Sequence, residues 1–337
     1  MTDDVRIGLQ GAVGRITLTR PRAINALTHP MIAAVDAALA AWAQDDAVEC
    51  VLVDSEGDRG FCAGGDVKAI RESALGDGVA ARALWRDEYR MNARIGAYPK
   101  PVVTLLPGIV LGGGVGLGCH ASLRVVTSSS RLGMPEVTIG LVPDVGGTHL
   151  LAHAPGELGT HLALTGTSAG PADAIACGLA DVCVSSLDGL HAPTTWASLE
   201  SAVRAAAVDP GPPELDRGWI DACYAGDDAA VVVERLLASD VSAAREAGEL
   251  IGTKSPTAVA VTLAAVRSAA TMTLPEALVQ EYRISSASLG RPDVAEGIRA
   301  QVVEKTRDPH WRPASLAGVD PREVARHLAP RADDLEL

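Results

Sequence analysis

One carboxylate pair and two glycine runs in this chain have the residue types and spacing for chemistry on a carbonyl group. The pair is Glu136 and Asp144, each directly after a proline, in the segment Met134-Pro-Glu-Val-Thr-Ile-Gly-Leu-Val-Pro-Asp-Val-Gly-Gly147. The stretch between them is largely apolar. Carboxyls held against apolar walls have raised pKa values, and a second carboxyl nearby raises them further, which suits acid, base or nucleophilic work. The glycine runs are Gly60-Phe-Cys-Ala-Gly-Gly-Asp66 and Leu111-Gly-Gly-Gly-Val-Gly116. Each follows a strand-like apolar run and precedes a helix-like one, so backbone N–H groups stand bare at a helix start. Two such turns brought together can hold an oxyanion.

Each feature also has a purely structural explanation. Glycine in a helix costs about 1 kcal/mol relative to alanine, so Gly112 to Gly114 signal a close backbone approach, to a ligand or of a helix to a sheet. Dinucleotide spacing fails, because the third glycine of G-x-G-x-x-G, counted from Gly112 and Gly114, falls on Leu117. Gly64, Gly65 and Asp66 could form a simple turn with a helix N-cap. Glu136 and Asp144 could be caps. Gly166-Thr-Ser-Ala-Gly170 matches G-x-S-x-G. That nucleophile elbow needs a strand before it, whereas Gly159 to Leu164 looks helical and Pro171 suits the first position of the next helix. A helix–helix turn is expected there. His149, His153 and His161 lack acidic or Cys partners at ligand spacing, so no metal is expected.

The elements that must position these residues change character along the chain. Val5 to Gln10 and Gly14 to Thr19 alternate as a hairpin, and Ala26 to Ala43 has helical spacing at Leu27, Met31, Val35, Leu39 and Trp42. Val48 to Val53, Val102 to Leu106 and Leu123 to Val126 read as buried strands. Asp66 to Ala74, Trp85 to Ile95 and Gly113 to His120 read as helices. This is an α/β pattern with crossover connections. From about Leu199 the pattern is almost wholly helical, with Asp209-Pro-Gly-Pro-Pro-Glu214 as a break. A proline-punctuated tail (Pro309, Pro313, Pro321, Pro330) is expected to wrap the surface.

Composition narrows the function classes. A chain of 337 residues with 47% hydrophobic residues can bury a large core, built from Ala, Val, Leu and Ile because Phe61 is the sole Phe. A net charge of −13 argues against nucleic acid as a partner, and any polyanionic ligand must meet a local basic patch. No apolar run approaches the roughly 20 residues of a membrane helix. The acidic start, Met1-Thr-Asp-Asp-Val-Arg-Ile7, is unlike a signal or transit peptide. The six cysteines form no CxxC pair and fit no zinc pattern, so buried thiols in a reducing, cytoplasmic setting are expected.

The ordered set of motifs resembles the crotonase superfamily of CoA-thioester enzymes, and within it the 3-hydroxyisobutyryl-CoA hydrolase subgroup. Phe61-Cys-Ala-Gly-Gly-Asp-Val67, Arg86-Asp-Glu-Tyr89, Leu111 to Gly116, Met134-Pro-Glu136 and Gly140-Leu-Val-Pro-Asp-Val-Gly-Gly147 carry the resemblance. So do Ala163-Leu-Thr-Gly166, Glu281-Tyr-Arg-Ile284, Glu296-Gly-Ile-Arg-Ala300, Lys305 and Pro309-His-Trp311. The resemblance implies an α/β fold, a crotonase-like spiral of repeated ββα units over residues 1–198, with a helical C-terminal region over 199–337 packing on it. It implies an oxyanion hole from the N–H groups of Gly65 and Gly113. Glu136 and Asp144 become the catalytic pair, and Glu88, Ala23 and Ala63 become substrate-contacting positions. The loop Arg22 to Asn25 would run past the adenine, and Arg20, Arg22 and Lys305 are candidates for the CoA phosphates. Hydratases of the superfamily carry a second Glu where this chain has Gly116, and usually Gly where it has Asp144. The implied reaction is therefore hydrolysis of a short 3-hydroxyacyl-CoA, most specifically 3-hydroxyisobutyryl-CoA in valine breakdown. CoA is part of the substrate, and no cofactor, metal, nucleic acid or membrane partner is expected; a homo-oligomer is compatible. A hydratase or isomerase of the same fold and a non-catalytic CoA-ester-binding protein are the alternatives. Gly147-Thr-His-Leu150 and the loop Glu72 to Arg82 depart from the family pattern and bear on the acyl pocket.

Overall fold

The computed structural model describes residues 2–337; Met1, the first residue of the acidic start, lies outside them. The chain forms two compact units, each assembled from separate stretches. The first comprises residues up to Gly65, Asp87–Gly133 and Ala169–Glu214; the second comprises Asp66–Arg86, Met134–Ser168 and Leu215–Leu337.

A seven-stranded sheet organises the first unit. Its strands run in the order Val5–Gln10, Val13–Leu18, Cys50–Ser55, Val102–Leu106, Leu123–Thr127, Val182–Val184 and Ala207–Val208. The first pair is the expected hairpin, with Val5 opposite Leu18 and Gln10 opposite Val13. From Val13–Leu18 to Val182–Val184 the pairings are parallel. Because side chains alternate across a strand, Cys50 and Leu52, and Val103 and Leu105, share one face. They form a core with Val13, Val125 and Val184, packed against Leu199 and Val203 of the helix Trp196–Ala206. The helix expected from Ala26 begins at His29, since Pro30 occupies its first turn and Thr28 is extended. It buries Met31, Val35, Leu39 and Trp42 of the expected stripe, with Ile32 added, while Leu27 lies ahead of the helix.

Along the chain a strand–strand pattern recurs three times. Cys50–Ser55 is followed by Gly60–Cys62, Val102–Leu106 by Ile109–Leu111, and Leu123–Thr127 by Arg131–Gly133. The long strand of each pair joins the large sheet, and the three short ones pair in parallel in a second sheet. A helical segment follows each pair: Val67–Ala74, Gly113–Cys119 and the short 3₁₀ turn Glu136–Ile139. This is the expected α/β class with ββα repeats.

The second unit is mainly helical. Val142, Val261, Ala265 and Ile284 form a buried cluster, covered by Val324 and Leu328 from the helix Pro321–Leu328. The proline-punctuated tail thus does more than wrap the surface. Pro321 stands in the first turn of that helix, where a missing N–H costs nothing, and starts it rather than breaking it. The G-x-S-x-G segment departs from the plain helix–helix turn expected: Gly166 ends the helix Leu158–Thr165 in the left-handed region, Ser168–Ala169 forms a two-residue strand, and Pro171 opens the helix Pro171–Ala176.

Candidate active site

The two glycine turns meet because their strands are neighbours. Gly60–Cys62 lies parallel to Ile109–Leu111, which lies parallel to Arg131–Gly133, so both turns leave the same end of the small sheet. The Gly112 N–H donates to the Gly133 carbonyl at 3.1 Å. A Cβ on Gly113 would lie 2.7 Å from Glu88 Oε1 and 3.3 Å from the Gly65 nitrogen. A Cβ on Gly114 would lie 2.5 Å from the Cys62 carbonyl oxygen. The glycines therefore serve a close approach within the protein and leave the Gly65 and Gly113 backbones side by side. Around Gly65 there is open space. Among the described residues, no loop or turn carbonyl accepts from the N–H of Gly65 or of Gly113. Two neighbouring donors with an open side are what a developing oxyanion requires.

Glu88 joins these donors from the helix Val79–Gly96 and is buried. Cys62 is not a nucleophile here. Burial, with the Glu88 charge adding to it and outweighing the Gly64 backbone contact, pushes its thiol up to about 12. The other cysteines are buried and free as well, in keeping with the expected structural thiols.

Ala23 and Ala63 come together through a backbone brace. Pro21–Ala23 is a single 3₁₀ turn, followed by Ile24 and Asn25 at φ 47 and 52, both left-handed. The Ala63 N–H donates to the Ile24 carbonyl at 2.9 Å, and the Leu27 N–H to the Gly64 carbonyl at 2.8 Å. Asn25 locks the brace from inside. Its Nδ2 donates to the carbonyls of Glu56 and Phe61 at 3.0 Å each, and its Oδ1 accepts the Arg20 N–H at 2.9 Å. Sequence reasoning passed over this role. The available signal was an Asn in a loop, the residue type that tolerates the left-handed region.

Glu136 and Asp144 belong to the second unit, and both are 8% exposed. Glu136 opens the 3₁₀ turn behind Pro135, and its carbonyl accepts the Leu141 N–H at 3.0 Å. Asp144 opens a tighter turn, in which its carbonyl accepts the Gly147 N–H at 2.6 Å. Val145 and Gly146 are left-handed there, at φ 53 and 81. A β-branched residue in that region is strained and persists only where its surroundings hold it. They do: Glu281, fully buried on the helix Leu274–Ser288, accepts the Gly146 N–H at 2.6 Å and the Thr148 N–H at 2.9 Å, and the Thr148 hydroxyl also donates to it. Glu281 entered the sequence analysis only as part of a tail motif.

The histidines have structural settings. His161 Nδ1 lies 2.9 Å from the Tyr224 hydroxyl, and burial pushes its pKa down to about 4. Among the described residues no group of three His, Cys, Asp or Glu side chains is placed to hold a metal. No helix among the described residues is long and apolar enough to cross a membrane.

The profile of the family described as enoyl-CoA hydratase/isomerase matches residues 13–328. The chain is 36% identical over 329 residues to the zebrafish (Danio rerio) protein named 3-hydroxyisobutyryl-CoA hydrolase, mitochondrial, covering 93% of this chain and 86% of that one. The human protein of the same name is 34% identical over 341 residues, covering 97% and 88%. Among solved structures, one described as a carnitinyl-CoA dehydratase from Mycobacterium thermoresistibile superposes with a TM-score of 0.96 at 49% identity, covering 99% of each chain. Another, described as an enoyl-CoA hydratase from Rhodobacter sphaeroides, gives 0.90 at 44%, covering 99% of this chain and 100% of that one. The fold is that of the crotonases, and the chain belongs to the enoyl-CoA hydratase/isomerase family.

Proposed function

We propose that the protein hydrolyses a short-chain 3-hydroxyacyl-CoA thioester, with 3-hydroxyisobutyryl-CoA as the leading substrate. The observation that carries this reading is the placement of carboxylates. The buried helix Gly113–Cys119 has glycine at 116 and no acidic residue anywhere along it, so syn-addition of water across a double bond lacks a second acid–base group there. Asp144 instead stands on a braced turn. The curated relatives named as hydrolases support the same reading.

In the proposed reaction the N–H groups of Gly65 and Gly113 take the charge on the thioester oxygen. Each such donor is worth about 3–4 kcal/mol at the transition state. The Glu136 carboxylate either attacks the carbonyl carbon, forming an anhydride that water then opens, or takes a proton from the attacking water. In both versions the C–S bond breaks and CoA leaves as a thiolate, which then takes up a proton. Asp144 accepts a hydrogen bond from the substrate 3-hydroxyl, and Glu88 is a second acceptor for the acyl part. Ala23 and Ala63 line the CoA with their backbones, and Arg20, Arg22 and Lys305 are the candidates for its phosphates.

A specific observation favours a second reading: the two solved structures at 49% and 44% identity are described as a dehydratase and a hydratase. Thiol release from 3-hydroxyisobutyryl-CoA, measured with a thiol dye beside hydration of crotonyl-CoA, separates the two. Thiol release without hydration is expected, and hydration without thiol release overturns the hydrolase reading. Glu136→Gln is expected to abolish turnover while leaving CoA-ester binding intact; surviving turnover would remove Glu136 from its role.

A further inference from the structure

We propose that Glu281 is a positioning residue that holds the Asp144 turn in its reactive conformation; the inference rests on the hydrolase reading above. The two oxygens of Glu281 take three donors from Gly146 and Thr148, in the turn that follows Asp144. Between Asp144 and those donors the backbone is left-handed at two successive positions, one of them valine. A left-handed valine returns to an ordinary conformation once released, and Asp144 would swing with it. A Cβ on Gly147 would meet Met134 Cε at 2.7 Å, so that side chain packs directly on the turn.

The carboxyl group of the clamp is chemically specific. Each oxygen faces a backbone N–H, so both must accept. Glutamine has the same shape but one oxygen, and its NH₂ group would face one of the two N–H donors. Aspartate is one methylene too short to reach from the same helix position. Burial pushes the Glu281 carboxyl up to about 8, against the lowering by the Thr148 and Gly146 bonds and with the Asp144 charge adding to the rise. The amide would turn one of these buried donors away, so Glu281→Gln should lower turnover through the Asp144 turn at some cost in stability.

The test uses the full chain and 3-hydroxyisobutyryl-CoA. Wild type, Glu281→Gln, Thr148→Val and Thr148→Ser are compared for kcat, KM and melting temperature. A displacement of about 1 Å at a reacting group costs up to about 100-fold, so Glu281→Gln is expected to lower kcat by about 10- to 100-fold. KM should rise as well, because Asp144 contacts the substrate 3-hydroxyl, and the melting temperature should fall by only several degrees. Thr148→Val should lower kcat to a lesser extent, and Thr148→Ser, which keeps the hydroxyl donor, should restore it. A Glu281→Gln protein with wild-type kcat overturns the clamp, and so does a kcat loss that disappears when the assay is run well below the variant's melting temperature. Should Glu281→Gln fail to fold, Thr148→Val against Thr148→Ser decides: equal kcat values overturn the proposal. A wild type that releases no thiol sinks the hydrolase reading itself and takes this inference with it.

Discussion

An alanine at 113 would bring a methyl group to 2.7 Å from Glu88 Oε1 and 3.3 Å from the Gly65 nitrogen. The first neighbour is the end of a side chain and can turn aside; overpacking of this kind costs about 1–3 kcal/mol. The fold should survive, yet the methyl would sit beside both amide donors. Gly113→Ala is therefore expected to lower kcat/KM for the thioester by about 100-fold, the loss typical of a spoiled oxyanion donor. Gly114→Ala should behave differently. Its methyl would meet the Cys62 backbone carbonyl at 2.5 Å, which cannot turn aside, so stability should fall well before activity is measured. Melting curves beside thiol-release kinetics check the contrast, and an active, stable Gly113→Ala would contradict it. The glycine run was legible in the sequence as a close approach. Its partners were not, because Glu88 and Cys62 reach it only through strand pairing and a distant helix. Asn25 and Glu281 were illegible for a related reason: a buried polar residue in a sequence looks like an exposed one until its donors and acceptors are known.

Among the elements, the parallel strand Cys50–Ser55 carries a charge that the sheet must satisfy. Asp54 is buried and accepts from Arg15 Nη2 at 2.6 Å and Nε at 3.0 Å, with His191 Nδ1 at 2.9 Å. Burial pushes its carboxyl up, but the bonds with His191, Thr17 and Arg15 together outweigh it and hold the pKa below the ordinary Asp value. The native state therefore binds a proton less readily than the unfolded chain. The stabilisation is fully present above the unfolded pKa of about 3.9 and is lost as pH falls through the lower folded value. Asp54→Ala should cost about 3 kcal/mol at pH 7, the low end for breaking a buried pair, because Arg15 can reach water. Urea unfolding from pH 7 to pH 3 should show the gap between wild type and variant shrinking only below about pH 4; a constant gap would contradict this account. At this scale the long strands and helices were readable from their periods. The strands Gly60–Cys62, Ile109–Leu111, Arg131–Gly133 and Val182–Val184 were not, since three residues are too few to display alternation. These short strands matter most for the site, because two of them set the glycine turns side by side.

For the molecule as a whole, the fold is shared by proteins named for hydration, dehydration and hydrolysis, so the fold alone does not fix the reaction. Net charge is a whole-chain property that bears on the substrate directly. The chain carries −13, and a CoA thioester is itself polyanionic. Two unit charges 20 Å apart in water interact by roughly 0.2 kcal/mol, which is small singly but accumulates over many pairs. This repulsion acts at long range, whereas cations that hold the phosphates act at contact. Salt separates the two, since the screening length falls from about 30 Å at 0.01 M to about 10 Å at 0.1 M. Over that interval distant repulsion is screened first, while contacts of a few ångströms are barely touched. The expected outcome is a kcat/KM for the thioester that rises several-fold from about 0.01 to 0.1 M salt and then falls as the contacts weaken in turn. A rate that falls from the lowest salt onward would mean that a local basic patch governs capture throughout. Charge reversal at Arg20, Arg22 and Lys305, one at a time, would then show which cation supplies it, as the variant whose KM rises most and whose salt dependence flattens.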